Sequence, residues 1–538
     1  MQGLKMRFLA PLGIVLLAIV SHCQGQGFDP TVGATPENLA AVSQSVTNLA
    51  QKISLAIANP KSKTEIFSPV SIAGALSLLL LGSGGNTRDE LMNVMGFQHS
   101  RLTFTDIHKS FGRLFQDLVS NDPAQNVTIP WRANDKCNNN DYDYEDYAQS
   151  KPTGQQRGRR DTDSVAEIKV ANGVFAPKGM QFDQKFQLIA ERFYGLETHY
   201  VDFRTKIQSV IHTINAWIRR LSRGRISQIV AQLNTTSMLV MTNTLYFKAL
   251  WQQPFIIEGT KARPFFLEGP SKPAILIPMM VNGGCFPYYY WQNVKTKVLG
   301  FPYKQKITLY VFLPDDSTRE KIRLLQTHLN TVALDDIFNK MEMKLVAVQF
   351  PKLHVQNSLN LRQTLEQLGV TTIFDQEESN LNRIWHNRST IMPYDYMDAF
   401  DFLEDTRENA IMELHHQHGN CIIVEKDVSN RVLCEASSLC RFKGGSCVCC
   451  AALTSSKRLR RAYDGYYLQS RLHVNEILHK IDLVVNEKGT ESGAVVMPFM
   501  DRNFPQVNFK VNGPFLILVR DEKTKLPLYY GGVFDPRL

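Results

Sequence analysis

Long hydrophobic runs are almost absent from this chain of 538 residues, and internal repeats and sustained heptads are absent altogether. Only residues 8–20 form a stretch that is apolar enough to be considered as a membrane segment. These absences exclude a multi-pass membrane protein, a solenoid and a long coiled coil. The motifs G-x-S-x-G and H-E-x-x-H and the Walker sequence do not occur either. Because no catalytic constellation is visible, we predict a protein that is not an enzyme and that needs no cofactor.

An evenly distributed excess of positive charge is also lacking. The formal net charge is +9. Nine basic side chains in the N-terminal leader and in two segments of unusual composition account for this charge: Lys5, Arg7, Arg157, Arg159, Arg160, Lys457, Arg458, Arg460 and Arg461. The rest of the chain is nearly neutral, so we expect no nucleic-acid partner.

The N-terminus has the organisation of a secretory signal peptide. Lys5 and Arg7 precede the apolar stretch, and the small residues Ser21 and Cys23 follow it. We predict a signal peptide over residues 1–23, with a later start of the mature chain at Gln26 as the alternative. An uncleaved anchor is disfavoured because the stretch is short for a membrane span. We therefore expect a secreted, extracellular protein with no membrane association after cleavage.

Because we expect a secreted protein, two further sequence signals become relevant. Three N-x-S/T sequons become candidate glycosylation sites, at Asn126, Asn234 and Asn387. Two Arg-x-x-Arg sequences, RGRR and RLRR, match the pattern that furin-type convertases cut, and they end at Arg160 and Arg461. A solvated basic turn is the alternative interpretation of each.

Two segments interrupt an otherwise regular pattern. Residues 123–164 are rich in Asn, Asp, Tyr and Gln, which predicts a disordered insertion. Residues 386–465 contain six of the nine cysteines and form a Cys-rich insertion. The histidines at 415, 416 and 418 fit no standard zinc spacing, so no metal site is predicted. Cys285 lies outside both segments and is predicted to be a buried free thiol.

The remaining chain shows alternating helix and strand signals. Ser68 before Pro69 predicts the start of a buried helix, with a hydroxyl cap and a proline in the first turn. Thr87 and Glu90 have the spacing of a capping box for the next helix. Residues 237–251 form a continuous apolar run, which is typical of a strand in the middle of a large sheet.

Several motifs, in order and spacing, make the chain resemble the serpin family, of the secreted insect type with two insertions. They are FSPVSIAGAL (67–76), INAWIRRLSRGRI (214–226), NTLYFKALW (243–251), VFLPDD (311–316), LHVNEILHKIDLVVNEKGTE (472–491), PFLILVRD (514–521) and GGVFDP (531–536). The resemblance implies one serpin domain over residues 37–538, interrupted by the two insertions. It also implies an α+β fold with a large central β-sheet, additional sheets, surrounding helices and an exposed reactive loop.

What the resemblance implies for function is suicide inhibition. A protease attacks the reactive loop as a substrate and forms an acyl-enzyme with its own nucleophile. The cut loop then inserts into the central sheet and carries the protease across the domain. The metastable native state drives this insertion. We expect a monomer whose partner is an extracellular trypsin-like serine protease, of which clip-domain proteases are one type.

The start of the loop has the side chains that insertion requires. The predicted hinge begins at Glu487 and Gly489 and continues through Thr490, Ser492 and Ala494, where alternate residues are small or β-branched. The stretch up to Phe509 is shorter than in typical inhibitory members. The alternative function is therefore a non-inhibitory binding, storage or carrier protein on the same fold.

Five further positions match family positions that control opening of the central sheet. Ser68, Ser71, Asn243 and His479 match the family's buried hydrogen-bond cluster, which resists or permits separation of the strands. Trp251 matches the aromatic residue at the point where insertion begins. Ordinary core packing is the alternative role for all five.

The reactive bond sets the class of target protease. Counting forward from Thr490 gives Asn503–Phe504, whereas counting back from Phe509 gives Met500–Asp501 or Asp501–Arg502. Arg502 is the only basic residue between Lys488 and Lys510, and trypsin-like pockets pair a buried carboxylate with a basic side chain. We therefore predict cleavage between Arg502 and Asn503, with the bond between Met500 and Asp501 as the alternative.

Overall fold

A computed structural model gives the structure of most of the chain. It describes residues 33–120, 129–133, 137, 167–304, 306–385, 421–426, 440–443, 446–450, 472–489 and 505–537. The predicted signal peptide, the convertase sequences ending at Arg160 and Arg461, and the sequons at Asn126 and Asn387 lie outside these residues.

Helices surround the sheets on several sides. The α-helices are α1 Pro36–Ala56, α2 Pro69–Gly82, α3 Gly85–Val94, α4 Phe104–Val119, α5 Pro130–Ala133, α6 Gln184–Tyr194, α7 Ile207–Leu221, α8 Arg319–His328, α9 Thr331–Lys340 and α10 Arg362–Gln367. Short 3-10 helices lie at Gln292–Val294 and Thr372–Phe374. Within the described part of the chain, no helix is long and apolar enough to cross a membrane.

The central sheet has five strands in the order β2-β1-β3-β13-β9. These strands are β1 Glu167–Pro177, β2 Leu196–Val201, β3 Val240–Lys248, β9 Leu353–Asn360 and β13 Glu476–Val485. Strands β3 and β13 run parallel, and each has another strand on its outer side, β1 and β9 respectively. The two middle strands thus come from parts of the chain more than 200 residues apart.

A second sheet has eight strands in the order β14-β8-β5-β6-β7-β15-β16, with β4 paired to β5. These strands are β4 Ile256–Phe265, β5 Ile275–Trp291, β6 Thr296–Pro302, β7 Ile307–Pro314, β8 Glu342–Pro351, β14 Val507–Lys510, β15 Phe515–Asp521 and β16 Pro527–Val533. Within the Cys-rich segment, β10 Cys421–Lys426, β11 Cys440–Lys443 and β12 Ser446–Cys450 form a three-stranded sheet in the order β10-β12-β11.

Helix α2 packs against α1, β3 and β16 in the interior of the protein. Every residue from Pro69 to Gly82 is buried, as expected for a helix that is apolar on all faces. Ser68 caps it as predicted, because its hydroxyl accepts a hydrogen bond from the Ser71 amide at 3.4 Å. The predicted α+β architecture of a large sheet, additional sheets and surrounding helices is confirmed.

The capping box predicted from Thr87 and Glu90 is wrong. Helix α3 begins at Gly85, three residues before the start that a cap at Thr87 would give, and Gly84 occupies the cap position without a side-chain bond. The Thr87 hydroxyl instead accepts a hydrogen bond from the Thr372 hydroxyl at 3.0 Å, and the Glu90 carboxylate accepts the amides of Thr371 and Thr372. These two side chains bind a segment far away in the sequence, which local spacing does not reveal.

The predictions for Cys285 and for residues 123–164 also need correction. Cys285 is not a free thiol, because it forms a disulfide with Cys137, with the two Cα atoms 6.1 Å apart. The insertion is not disordered throughout, since Pro130–Ala133 are helical and Ile129 and Trp131 are 3% and 2% exposed. Averaged composition concealed this short apolar group within a polar segment.

Candidate functional site

The candidate site is the seam between β3 and β13 in the central sheet. Their ladder runs from Glu476 opposite Val240 to Ile481 opposite Leu245. Beyond this point β13 pairs only with β9, and β3 pairs only with β1, among the strands that the structure describes. The seam is therefore closed at the end where β13 begins and unpaired at the end where β13 finishes.

A buried hydrogen-bond cluster lies at the closed end. Asn243 and His479 are register partners on the two strands. Asn243 Oδ1 accepts hydrogen bonds from His479 Nδ1 at 2.5 Å and from the Ser71 hydroxyl at 3.0 Å. The Ser68 amide donates to His479 Nε2 at 3.0 Å. The structure thus brings together the four residues that the sequence singled out from three distant segments, and ties both strands to the start of α2.

The protonation state of His479 follows from this geometry. Nε2 accepts the Ser68 amide proton, so the ring is neutral and its proton lies on Nδ1, which donates to Asn243. His479 is 1% exposed, and burial lowers its pKa to about 3. Charging the ring removes the acceptor for Ser68 and places a cation in the core, so the cluster is stable only with a neutral histidine.

At the open end the chain leaves β13 through a tight turn at the predicted hinge. The Asn486 side chain accepts the amides of Lys488 and Gly489, and the Asn486 amide donates to the Gly489 carbonyl. Gly489 has φ +149° and forms an antiparallel bridge with Leu250. A Cβ atom at Gly489 would lie 2.1 Å from the Ala249 carbonyl oxygen, so only glycine fits this approach.

Trp251 connects the turn to the protein core. Its indole donates to the Asn486 carbonyl at 2.9 Å, and its amide donates to the Lys488 carbonyl at 3.0 Å. The ring is 1% exposed and stacks on Tyr303 with centroids 4.1 Å apart. The aromatic residue predicted to mark the entry point therefore lies directly against the hinge.

The hinge carboxylate has partners that sequence reasoning missed. Glu487 accepts hydrogen bonds from Thr260 at 2.9 Å and from Lys352 Nζ at 3.0 Å. Although burial raises the pKa of Glu487, its own backbone amide, Lys352 and Thr260 together hold the pKa below its ordinary value. No local motif marked Lys352, because it belongs to the turn between β8 and β9 and meets Glu487 only in the folded sheet.

Of the predicted site residues not yet discussed, the structure describes Asn234, whereas those of the reactive loop lie outside the described residues. Asn234 is exposed in the connection between α7 and β3, at the end of the sheet where β3 begins. Its side chain accepts the Thr236 amide at 3.1 Å. The remaining predicted residues lie outside the described residues: Thr490, Ser492, Ala494, Met500, Asp501, Arg502 and Asn503. No cluster of metal-ligating side chains occurs among the residues that are described.

Comparison with known sequences gives a consistent result. The sequence model of the family described as "Serpin (serine protease inhibitor)" matches residues 44–393 and 455–536. Serine protease inhibitor 28Dc of Drosophila melanogaster is 28% identical over 502 residues, which cover 92% of this chain and 79% of that protein. Antithrombin-III of Mus musculus is 24% identical over 515 residues, covering 94% and 83% respectively.

Solved structures support the same fold. Human thyroxine-binding globulin in complex with thyroxine superimposes with a TM-score of 0.65 at 17% identity, and the match covers 93% of this chain and 100% of that one. Human glycosylated kallistatin superimposes with a TM-score of 0.63 at 20% identity, covering 93% and 99%. At these sequence identities the likeness establishes the fold alone, so function has to be inferred from the candidate site.

Proposed function

This chain belongs to the serpin family, and from that premise we propose that it is a secreted inhibitor that traps a trypsin-like serine protease by inserting its cleaved reactive loop between β3 and β13. One observation carries the proposal: the two middle strands are parallel and, among the strands that the structure describes, are not paired with each other at the end beside the hinge. A strand returning from β13 enters antiparallel to both neighbours, which is the pairing that the open edges can accept.

The existing bridge between Leu250 and Gly489 supplies a register for the inserted strand. Continuing it antiparallel along β3 aligns alternate loop residues with the core-facing residues of β3. The resulting pairs are Thr490–Ala249, Ser492–Phe247, Ala494–Leu245 and Val496–Asn243. In this register the small or β-branched loop side chains face the core. Glu491 lies beside Lys248 on the other face, where opposite charges favour the pairing.

The buried cluster and the hinge then have distinct roles. We propose that Ser68, Ser71, Asn243 and His479 keep the closed end of the seam shut until the loop arrives. Glu487, Gly489 and Trp251 hold the loop at its entry point. Separation of β3 from β13 has to break the hydrogen bond between Asn243 and His479, so this contact contributes to the barrier that preserves the native state.

The decisive experiment incubates the secreted protein with trypsin-like and chymotrypsin-like proteases, including a clip-domain protease. We expect an SDS-resistant complex with the trypsin-like enzymes and a released peptide that begins at Asn503. Arg502→Ala abolishes this complex, whereas the matched Met500→Ala variant preserves it. Persistence of the complex in Arg502→Ala, with loss in Met500→Ala, would transfer the reactive bond to Met500 and Asp501.

The short loop favours one alternative function. If every protease cuts the loop and none forms a complex, the protein is a non-inhibitory member that binds, stores or carries another molecule. In that case the urea midpoint of the cut protein equals that of the intact protein, because no strand has been added to the sheet. A large rise in the midpoint after cutting supports insertion instead.

The processing of the secreted protein is part of the proposal. We expect glycans on Asn126, Asn234 and Asn387 and convertase cleavage after Arg160 and Arg461. Mass spectrometry of material from the culture medium tests both, through sugar-bearing peptides and through new N-termini at Asp161 and Ala462. Intact, unmodified peptides across all five positions would contradict this part of the proposal without affecting the inhibitory mechanism.

A further inference from the structure

The segment that receives the hinge is held from two sides. This receiving segment, residues 249–255, connects β3 to β4. On one side it contacts the hinge, since the Trp251 amide donates to the Lys488 carbonyl and the Phe255 amide donates to the Glu487 carbonyl at 2.7 Å. On the other side Gln252 contacts Arg132, which belongs to a short stretch, residues 129–133 and 137, that we call the strap.

The strap is fixed firmly to the protein body. Trp131 is 2% exposed, and its indole donates to the Tyr310 hydroxyl at 3.1 Å. Tyr310 in turn donates to the Glu522 carboxylate at 2.7 Å. The disulfide between Cys137 and Cys285 ties the other end of the strap to β5. A buried aromatic anchor and a covalent bond together fix both ends of this short segment.

From these anchors the strap and β5 support the part of the receiving segment that follows Trp251. Arg132 Nη2 lies 3.4 Å from Gln252 Oε1. The Gln253 side chain donates to the carbonyl of the disulfide residue Cys285 at 3.2 Å, and Asn282 donates to the carbonyls of Gln253 and Pro254 at 3.1 Å. A cavity of about 250 Å³ lies between strap and segment. Polar contacts therefore replace close packing on this side.

We propose that the strap is a latch that holds the receiving segment against β5 and slows its separation from the hinge. The cleaved loop enters the sheet beside this segment, so the role of the latch in inhibition rests on the proposed function. The effect of the latch on the opening of the receiving segment does not depend on the proposed function. The strap belongs to the first insertion, residues 123–164. The proposal therefore assigns that insertion a role in the conformational stability of the reactive loop.

Hydrogen exchange of the full-length protein, followed by mass spectrometry, tests the latch. The double variant Cys137→Ser/Cys285→Ser removes the tie without leaving a lone thiol. We expect peptides covering residues 249–255 to exchange about ten-fold faster in this variant, because local opening sets their exchange rate. The amides of Phe67 and Tyr530, which donate to each other's carbonyls at 3.0 Å, serve as the internal reference and keep their protection.

A second variant covers the possibility that the double variant loses its reference protection. Trp131→Phe retains the ring in its pocket but removes the hydrogen bond to Tyr310, and we expect the same acceleration at a smaller size. Unchanged exchange of residues 249–255 in a variant with an intact reference would overturn the latch. Faster exchange in a protein that forms no complex with any protease would leave the latch standing and count against the proposed function alone.

Discussion

The two ends of the seam between β3 and β13 differ in how they are held. At the closed end, six backbone register pairs and a buried cluster around Asn243 join the strands directly. At the open end, each strand pairs only with its outer neighbour in the described sheet, and the turn at Gly489 rests against Leu250. A single seam thus combines a stable base with an entry point, which is what the addition of a strand from one end requires.

Replacing Asn243 by leucine should break the closed end with the largest effect. Leucine has a similar volume but leaves the Ser71 hydroxyl and the His479 ring without their common acceptor. Each buried unsatisfied donor costs about 1–3 kcal/mol, so we expect the free energy of unfolding in urea to fall by about 2–5 kcal/mol. The exposed residue Asn234 provides the control, since Asn234→Gln should change it by less than about 0.5 kcal/mol. Equal losses in both variants would contradict the role of the cluster.

Lowering the pH should destabilise the closed end of the seam, where His479 lies. The pKa of His479 is about 3 in the folded protein, against an ordinary value of 6.5. Between these values the unfolded chain binds more protons, so the stability present above pH 6.5 decreases as the pH falls. The expected loss from this group is roughly 3 kcal/mol at pH 4, measured by urea unfolding across the pH range.

The variant His479→Gln isolates this contribution. Burial also lowers the pKa of His108 to about 3, with Arg383 adding to the effect, but His108 is present in both proteins. The free energy of unfolding is measured against pH for both the wild-type protein and the variant. The difference between these two pH profiles therefore reports on His479. Profiles of identical slope between pH 6.5 and pH 4 would show that the His479 ring is not held neutral in the folded state.

Substitution of Gly489 by valine tests the open end. The positive φ and the contact with the Ala249 carbonyl make any side chain costly there, by about 1–3 kcal/mol. We expect the bridge to Leu250 to be lost and limited proteolysis near residue 489 to accelerate, with a small effect on the closed end. Gly283→Ala is the matched control, because no atom lies within 4 Å of its Cβ position. Comparable acceleration in this control would refute the special role of Gly489.

The smallest expected effect concerns the ion pair of the hinge. Glu487→Gln keeps a hydrogen-bond acceptor for Thr260 and removes the charge that pairs with Lys352. Because the lysine is 40% exposed, the pair should contribute only about 0.5–1 kcal/mol. A double-mutant cycle with Lys352→Met measures this coupling. A coupling energy of zero would mean that the turn, rather than the charge pair, holds the hinge.

Local patterns in the sequence were sufficient for elements whose contacts lie nearby in the chain. The cap of α2 at Ser68 and the apolar strand within 237–251 depend on side-chain spacing of a few residues, which the sequence displays directly. The family motifs extended this to the fold, and they also named the four residues that meet in the buried cluster. These residues come from three segments, so composition and spacing alone would not have joined them.

By itself the sequence determined that this protein is an α+β serpin, with alternate small residues after Gly489 and one arginine in the predicted reactive region. Only the tertiary structure decided which distant groups meet: Cys137 with Cys285, Lys352 with Glu487, and Thr87 with Thr372. It also decided that Trp131 is buried although it lies in a polar insertion. The physical reason is that such contacts depend on the packing of whole elements, whereas helical and strand periodicity records only neighbours along the chain.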